Sequence, residues 1–227
     1  MKKRIQPHKL NYVKLKFPVN PLNSWVTKKV LEEMSFAETR QPDEIWVYDT
    51  PKEVFNLDFG YFMNYYGFRI TRAHLFYLPP LGFQAAHVDG YQPDIKTPEE
   101  INDPSSFKFM GDYVKCNIIV GGAGAQMDWY EPIDKQGHTW DLPQENLEHL
   151  SKYMFFKPDQ IKKVDTCTLE DKEIALVQVG RPHRVRAFNE NRFCISLVFS
   201  DKKTLQRYTM AQTYYALKEF VCDDRLI

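Results

Sequence analysis

Ala85-Ala86-His87-Val88-Asp89-Gly90, set against Gly180-Arg181-Pro182-His183-Arg184-Val185 far downstream, is the pair of stretches on which the fold turns. In a strand, successive side chains point to opposite faces, so His87 and Asp89 share a face and can reach one metal ion while Val88 points away. His183, arriving from a neighbouring strand, completes a face of two imidazoles and one carboxylate with the opposite coordination positions open. A His-x-Asp pair beside a glycine also fits a solvated turn, and a histidine after Pro182 also fits a capped strand start. The surrounding pattern has to decide between these readings.

That pattern is sheet-like. Ala73 to Leu78 reads as a strand, Pro79-Pro80-Leu81-Gly82 breaks it, and Phe83 to His87 leads into the metal pair. Lys115 to Val120 and Ile174 to Val179 are further strand-like runs, and Gly180-Arg181-Pro182 delivers His183 at the start of another. After the turn Asn189-Glu190-Asn191, the segment Arg192 to Phe199 alternates Arg, Cys, Ser and Val on one face with Phe, Ile, Leu and Phe on the other. Arg192 lies on the less apolar face. A guanidinium on the inner wall of a barrel is costly unless an anion pairs with it, and its forked donors match a carboxylate. The same residue also fits the surface end of a hairpin, and Lys115, which shares a face with Asn117, is a rival for the anion.

In the order and spacing of these segments, from Leu75 to Asp89, through Lys115-Cys116-Asn117-Ile118-Ile119-Val120, to Val179 to Val185 and Asn191-Arg192-Phe193, the chain resembles the 2-oxoglutarate and Fe(II)-dependent dioxygenase superfamily. It is similar in particular to small phage and bacterial hydroxylase-like members, in which a strand beginning near an Asn leads through a Gly-rich turn to an aromatic pair, as Asn117 leads to Trp129-Tyr130. The resemblance covers about residues 70 to 200. It implies a mainly β fold with flanking helices, a double-stranded β-helix of the jelly-roll, cupin-like kind. It further implies Fe(II) held by His87, Asp89 and His183, with 2-oxoglutarate and O2 as co-substrates and Arg192, nine positions after the last ligand, holding the keto acid. Tyr77 and Asn117 are candidates to hydrogen-bond that co-substrate, or else ordinary strand residues. The implied reaction is hydroxylation of an unactivated C–H bond in a protein side chain or a small molecule. Asp89 argues against the halide-dependent relatives, which lack a carboxylate there. Two other classes stay open: a cupin-type metalloenzyme without a keto acid, which does not need Arg192, and a non-catalytic jelly-roll interaction module, which needs none of the four residues.

Composition fits this reading. The 227 residues can bury one large core, so a single domain is expected, with residues 1–70 as helical support, 71–200 as the jelly-roll and 201–227 as a C-terminal helix. Thirty basic and thirty acidic residues cancel, which gives no overall electrostatic case for nucleic acid or an anionic membrane. Cys116, Cys167, Cys194 and Cys222 are too dispersed for a zinc knuckle or a redox pair. With no apolar run long enough to span a bilayer and no secretory leader behind Lys2-Lys3-Arg4, a cytoplasmic protein is expected. His8, His74, His138 and His149 have no carboxylate in strand register and are not expected to bind metal.

The punctuation predicts the remaining elements. Trp25 to Met34 reads as a helix with Ser24 as N-cap, and a second short helix begins near Pro51 and runs to Asn56 or beyond. Residues 90–110, rich in Pro, Asp, Ser and Glu, read either as a loop over the site or as a surface excursion. Residues 130–172 read as an insertion with a helix around 143–154 and a charged turn near 165–172. Met210, Tyr214, Leu217 and Val221 recur at helical spacing along a tail from Lys202 to Val221. Trp129, Tyr130, Phe107 and Tyr91 are candidates to enclose a substrate, although with aromatics so abundant most of them are expected to pack the core.

Overall fold

The computed structural model describes residues 6–35, 46–82, 85–89, 113–122, 124–133, 153–155, 158–223 and 225–226. Within them the chain is mainly β, with two antiparallel sheets and a few helices. The strands are β1 (Tyr12–Leu15), β2 (Trp46–Asp49), β3 (Phe68–Leu78), β4 (His87–Asp89), β5 (Val114–Gly121), β6 (Gln126–Pro132), β7 (Tyr153–Phe155), β8 (Ile161–Thr168), β9 (Ile174–Gln178), β10 (His183–Arg186) and β11 (Arg192–Asp201). One sheet has the order β1-β9-β5-β11-β3-β2 and the other β7-β4-β10-β6-β8. From β3 to β6 the chain alternates between the two sheets, and from β8 it passes through β9, β10 and β11 in the same alternation.

The alternation read along Arg192 to Phe199 sets how the sheets are covered. Phe193, Ile195, Leu197 and Phe199 face outward into a core shared with Leu31, Phe59, Met63, Met210 and Leu217 of the helices. Cys194 and Val198 face inward, into a second core shared with Met127, Trp129 and Val185 of the smaller sheet. With apolar packing on both faces, β5 and β11 are buried along nearly their whole length. Helix α2 (Leu57–Tyr65) buries Phe59 and Met63 and is capped by Asn56, whose side chain accepts from the Asp58 amide. Helix α3 (Met210–Leu217) begins at a capping box of Thr209 and Gln212.

Several boundaries differ from expectation, each for a local reason. Asn23 to Val26 close a turn, with the Val26 amide on the Asn23 carbonyl, so helix α1 (Lys28–Ser35) starts later and Thr27, not Ser24, caps it through the Val30 amide. The second helix is a short 3-10 turn at Lys52–Val54 followed by α2. The N-terminal 70 residues are not only helical support, because β1 and β2 form both edges of the larger sheet. The tail is not one helix. Asp201 turns the chain by accepting from the amides of Lys203 and Thr204, and Val221 leaves the helical region to bridge Leu15. Much of the expected insertion is sheet: β8 pairs with β6 across Asp165 to Thr168, and the charged turn tightens to Glu170–Glu173. Tyr153 and Met154 lie in a strand, while the rest of the helix expected around 143–154, the 90–110 segment, Phe83, Tyr91, Phe107, His138 and His149 fall outside the described residues.

Candidate metal centre

His87 and His183 face each other directly across the β4–β10 ladder, and β6 lies on the far side of β10. The turn that delivers His183 is held from outside. Arg181 donates to the carbonyls of His8 and Lys9 and to the Asn11 side chain, while the amide of Asp89 bonds the Val179 carbonyl at 2.8 Å. These contacts bring His87, Asp89 and His183, exposed to only 2, 5 and 3 %, into one cluster whose candidate ligand atoms lie within 4.8 Å of one another. The imidazole centroids are 4.3 Å apart.

Both rings are oriented alike. His87 Nδ1 lies 2.8 Å from the Ala85 carbonyl oxygen and His183 Nδ1 2.8 Å from that of Arg181. A carbonyl only accepts, so each Nδ1 carries its hydrogen and donates it, which turns each Nε2 toward the cluster. Backbone bonds of this kind fix the tautomer and ring plane of metal-binding histidines. Burial, helped by the proximity of His87, pushes the His183 pKa down to about 3, so its imidazole is neutral. For Asp89, burial opposes ionisation, but Lys115 and the two imidazoles outweigh it and hold the carboxyl far below the usual carboxylate range. The neutral imidazole of His183, the imidazole of His87 fixed in the same way and one ionised carboxylate, all buried, are donors suited to a divalent transition metal.

The cluster opens on a cavity between the sheets, lined on its apolar side by Phe76, Leu78, Met127, Val179 and Val185. Arg192 and Asn117 also line it, together with Lys115 and Ser196. Arg192 is 5 % exposed, and among the described residues no carboxylate pairs with it. Its backbone is approached so closely by Gly122 that a Cβ on that glycine, whose φ is +69°, would lie 2.5 Å from Arg192 Cβ. Lys115, the rival cation, is ion-paired with Asp89. Asn117 accepts from the Ser196 hydroxyl at 2.7 Å.

Tyr77 is not in the cavity. Its strand neighbours Phe76 and Leu78 face inward, so Tyr77 faces the helices, packs at a tilt against Phe193 and donates to Asn191 Oδ1 at 3.2 Å. Trp129 and Tyr130 do not enclose a substrate space either. Trp129 is fully buried, stacks on Tyr12 and donates to the Gln178 carbonyl, while Tyr130 lies on the opposite face of the sheet beside Asp128. Ser196 was legible, since it shares the Arg192 face of β11 by alternation. The Lys115–Asp89 pair was not, because it depends on how the two sheets stack.

No family model and no curated protein matches this sequence. Among solved structures, E. coli ycfD is similar over 57 % of this chain, with 17 % identity and a TM-score of 0.31. Vicilin from Corylus avellana (hazelnut) is similar over 76 %, with 9 % identity and a TM-score of 0.29. The matched parts span 26 % and 36 % of those chains, so this chain corresponds to well under half of either. Among the described residues no helix is long and apolar enough to cross a membrane.

Proposed function

We propose that the chain is a double-stranded β-helix oxygenase that binds Fe(II) and 2-oxoglutarate and hydroxylates an unactivated C–H bond of a protein side chain or a small molecule. The strand order supports the fold: β3, β11, β5 and β9 in one sheet and β4, β10, β6 and β8 in the other give the interleaved alternation of a jelly-roll. The observation that carries the function is Arg192, a buried guanidinium with no carboxylate partner among the described residues, on the same cavity as the His87–Asp89–His183 cluster. A buried cation in that position is unfavourable until an anion meets it, and a dicarboxylate reaching from the metal would do so.

His87 and His183 offer Nε2 and Asp89 one carboxylate oxygen, while Arg192 orients the far carboxylate of the keto acid. Phe76, Leu78, Met127 and Val185 exclude water from the space between. When bound, ferrous iron supplies the activation of O2 that no side chain of this chain can provide. The test is anaerobic addition of Fe(II) and then 2-oxoglutarate, following the visible charge-transfer band of the chelate in the parent and in Arg192→Ala. We expect a band in the parent and about 100-fold more keto acid needed in the variant, the scale of losing two charged hydrogen bonds. Iron binding without a band would instead support a cupin-type metalloenzyme that uses no keto acid. Failure to bind iron would leave a non-catalytic interaction module.

A further inference from the structure

The two oxygens of Asp89 have different neighbours. Oδ1 lies 3.5 Å from His87 Nε2, whereas Oδ2 is ion-paired with Lys115 Nζ. Lys115 comes from β5, in the sheet opposite β4, where its backbone is laddered against Val177. Its side chain is buried, and the ammonium lies 5.7 Å from the centroid of the Phe76 ring. An ammonium held in this way grips the carboxylate oxygen turned away from the imidazoles.

Two consequences follow for an ion seated among His87, Asp89 and His183. With Oδ2 engaged, Asp89 presents one oxygen and not two, which preserves an open position beside it. A fixed cation also repels an ion in proportion to that ion's charge, so it disfavours a trivalent ion more than a divalent one. The rival role for Lys115, anchoring a carboxylate of 2-oxoglutarate, would require the pair with Asp89 to break. Arg192 meets that need on the same cavity with no carboxylate to give up among the described residues.

We propose that Lys115 is a positioning residue of the metal centre: through Oδ2 it keeps Asp89 a single-oxygen ligand, and its charge biases the site toward ferrous over ferric iron. This rests on the reading of the metal centre given above. The experiment compares Fe(II)-loaded parent, Lys115→Met and Lys115→Arg, measuring the midpoint potential of the bound iron by mediated redox titration and the affinity for 2-oxoglutarate by the charge-transfer band. In Lys115→Met the preference for ferric over ferrous iron should rise at least about tenfold, a fall in potential of about 59 mV for one electron. Its affinity for 2-oxoglutarate should stay within about threefold of the parent, well below a one-decade loss. Lys115→Arg, which keeps the charge, should recover the parent potential. An unchanged potential in a folded Lys115→Met protein overturns the proposal, and a tenfold loss of keto-acid affinity beside it would reassign Lys115 as the co-substrate anchor. If circular dichroism shows that Lys115→Met does not fold, Lys115→Gln is read in the same way. A parent that binds no Fe(II) defeats the metal centre itself, whereas a parent that binds it and a variant that matches its potential defeat this inference alone.

Discussion

Two buried carboxylates lie on opposite faces of the five-stranded sheet and have met burial differently. Asp89 faces the cavity between the sheets, where Lys115 holds one oxygen and the other looks toward the two imidazoles. Asp128 faces outward and is fully buried, accepting from the Thr166 hydroxyl at 2.8 Å and from Arg184 Nε and the Tyr130 hydroxyl at 3.4 Å, with Arg186 ion-paired at 2.8 Å and Lys163 at 3.6 Å. Arg184 also lies over the Tyr130 ring and Arg186 over Phe188. Every group around Asp128 is a donor. Around Asp89 two of the groups are imidazoles whose Nδ1 atoms are tied to backbone carbonyls and whose Nε2 atoms face the cluster, and that difference separates a candidate metal ligand from a neutralised structural acid.

The largest expected effect tests that contrast directly. Asp89→Asn should weaken Fe(II) binding by at least about 100-fold, more than loss of an outer partner typically costs. Asp128→Asn should leave the metal affinity of the folded protein unchanged, and isothermal titration with Fe(II) under anaerobic conditions compares the two. Comparable losses in both variants would mean that burial of charge in this sheet, and not the imidazole pair, governs the site.

Asp128→Asn has its own consequence, in stability. Removing the acid leaves Arg184, Arg186 and Lys163 crowded without a counter-charge, and because these cations reach solvent the cost is about 1–2 kcal/mol near neutral pH. Burial opposes ionisation of Asp128, but the Thr166 hydroxyl and Arg186 reverse it and lower the native pKa. A carboxyl with a lowered native pKa stabilises the fold above its ordinary value and loses that contribution as the pH falls through the native one. The parent should therefore lose its advantage over Asp128→Asn progressively below about pH 4, the ordinary range of an aspartate. Urea unfolding at neutral pH and in acid gives the two differences. A gap that does not narrow in acid would show that Asp128 acts through packing and not charge.

Gly122→Ala probes the cavity side more gently. A Cβ at φ +69° costs about 1–2 kcal/mol of backbone strain. At 2.5 Å from Arg192 Cβ it must also push β11 or the turn aside. Metal affinity should hold, because none of the three candidate ligands is touched. Keto-acid affinity should fall about tenfold through displacement of the guanidinium. Equal loss of metal and keto acid would indicate that the cavity yields as a unit.

What was legible in the sequence is what alternation and register within one segment determine. The face of β11 that carries Arg192, the shared face of His87 and Asp89, and the shared face of Lys115 and Asn117 all follow from period-two reasoning, and the strands have those faces. Interactions between segments were illegible. Asp128 lies between Met127 and Trp129 with no charged residue adjacent to it in its own strand, and the three cations that close over it come from β8 and β10. Thr27 displaced Ser24 as a cap because the turn ahead of it consumes Asn23 to Val26. Tyr77 precedes the Pro79-Pro80 turn, so its facing relative to His87 does not follow from alternation within one segment. Its true register is set by the ladder to β11, which puts it opposite Phe193 and away from Arg192.

Tyr77 also supplies the smallest prediction, and the one that tests the facing of the larger sheet. Its hydroxyl donates to Asn191 Oδ1 at 3.2 Å, and Asn191 in turn donates to Glu32 of α1 at 2.9 Å, so the phenol belongs to a polar link between helix and hairpin on the outer side. Tyr77→Phe keeps the ring against Phe193 and removes only the hydroxyl, which should cost about 1 kcal/mol, the usual net value of one hydrogen bond. Because a full strand thickness separates that hydroxyl from the cavity, the 2-oxoglutarate titration of the variant should overlay that of the parent. A clear weakening of keto-acid binding at unchanged stability would mean that the phenol reaches the inner face. The inward assignment of Phe76 and Leu78, and with it the cavity wall beside Arg192, would then have to be redrawn.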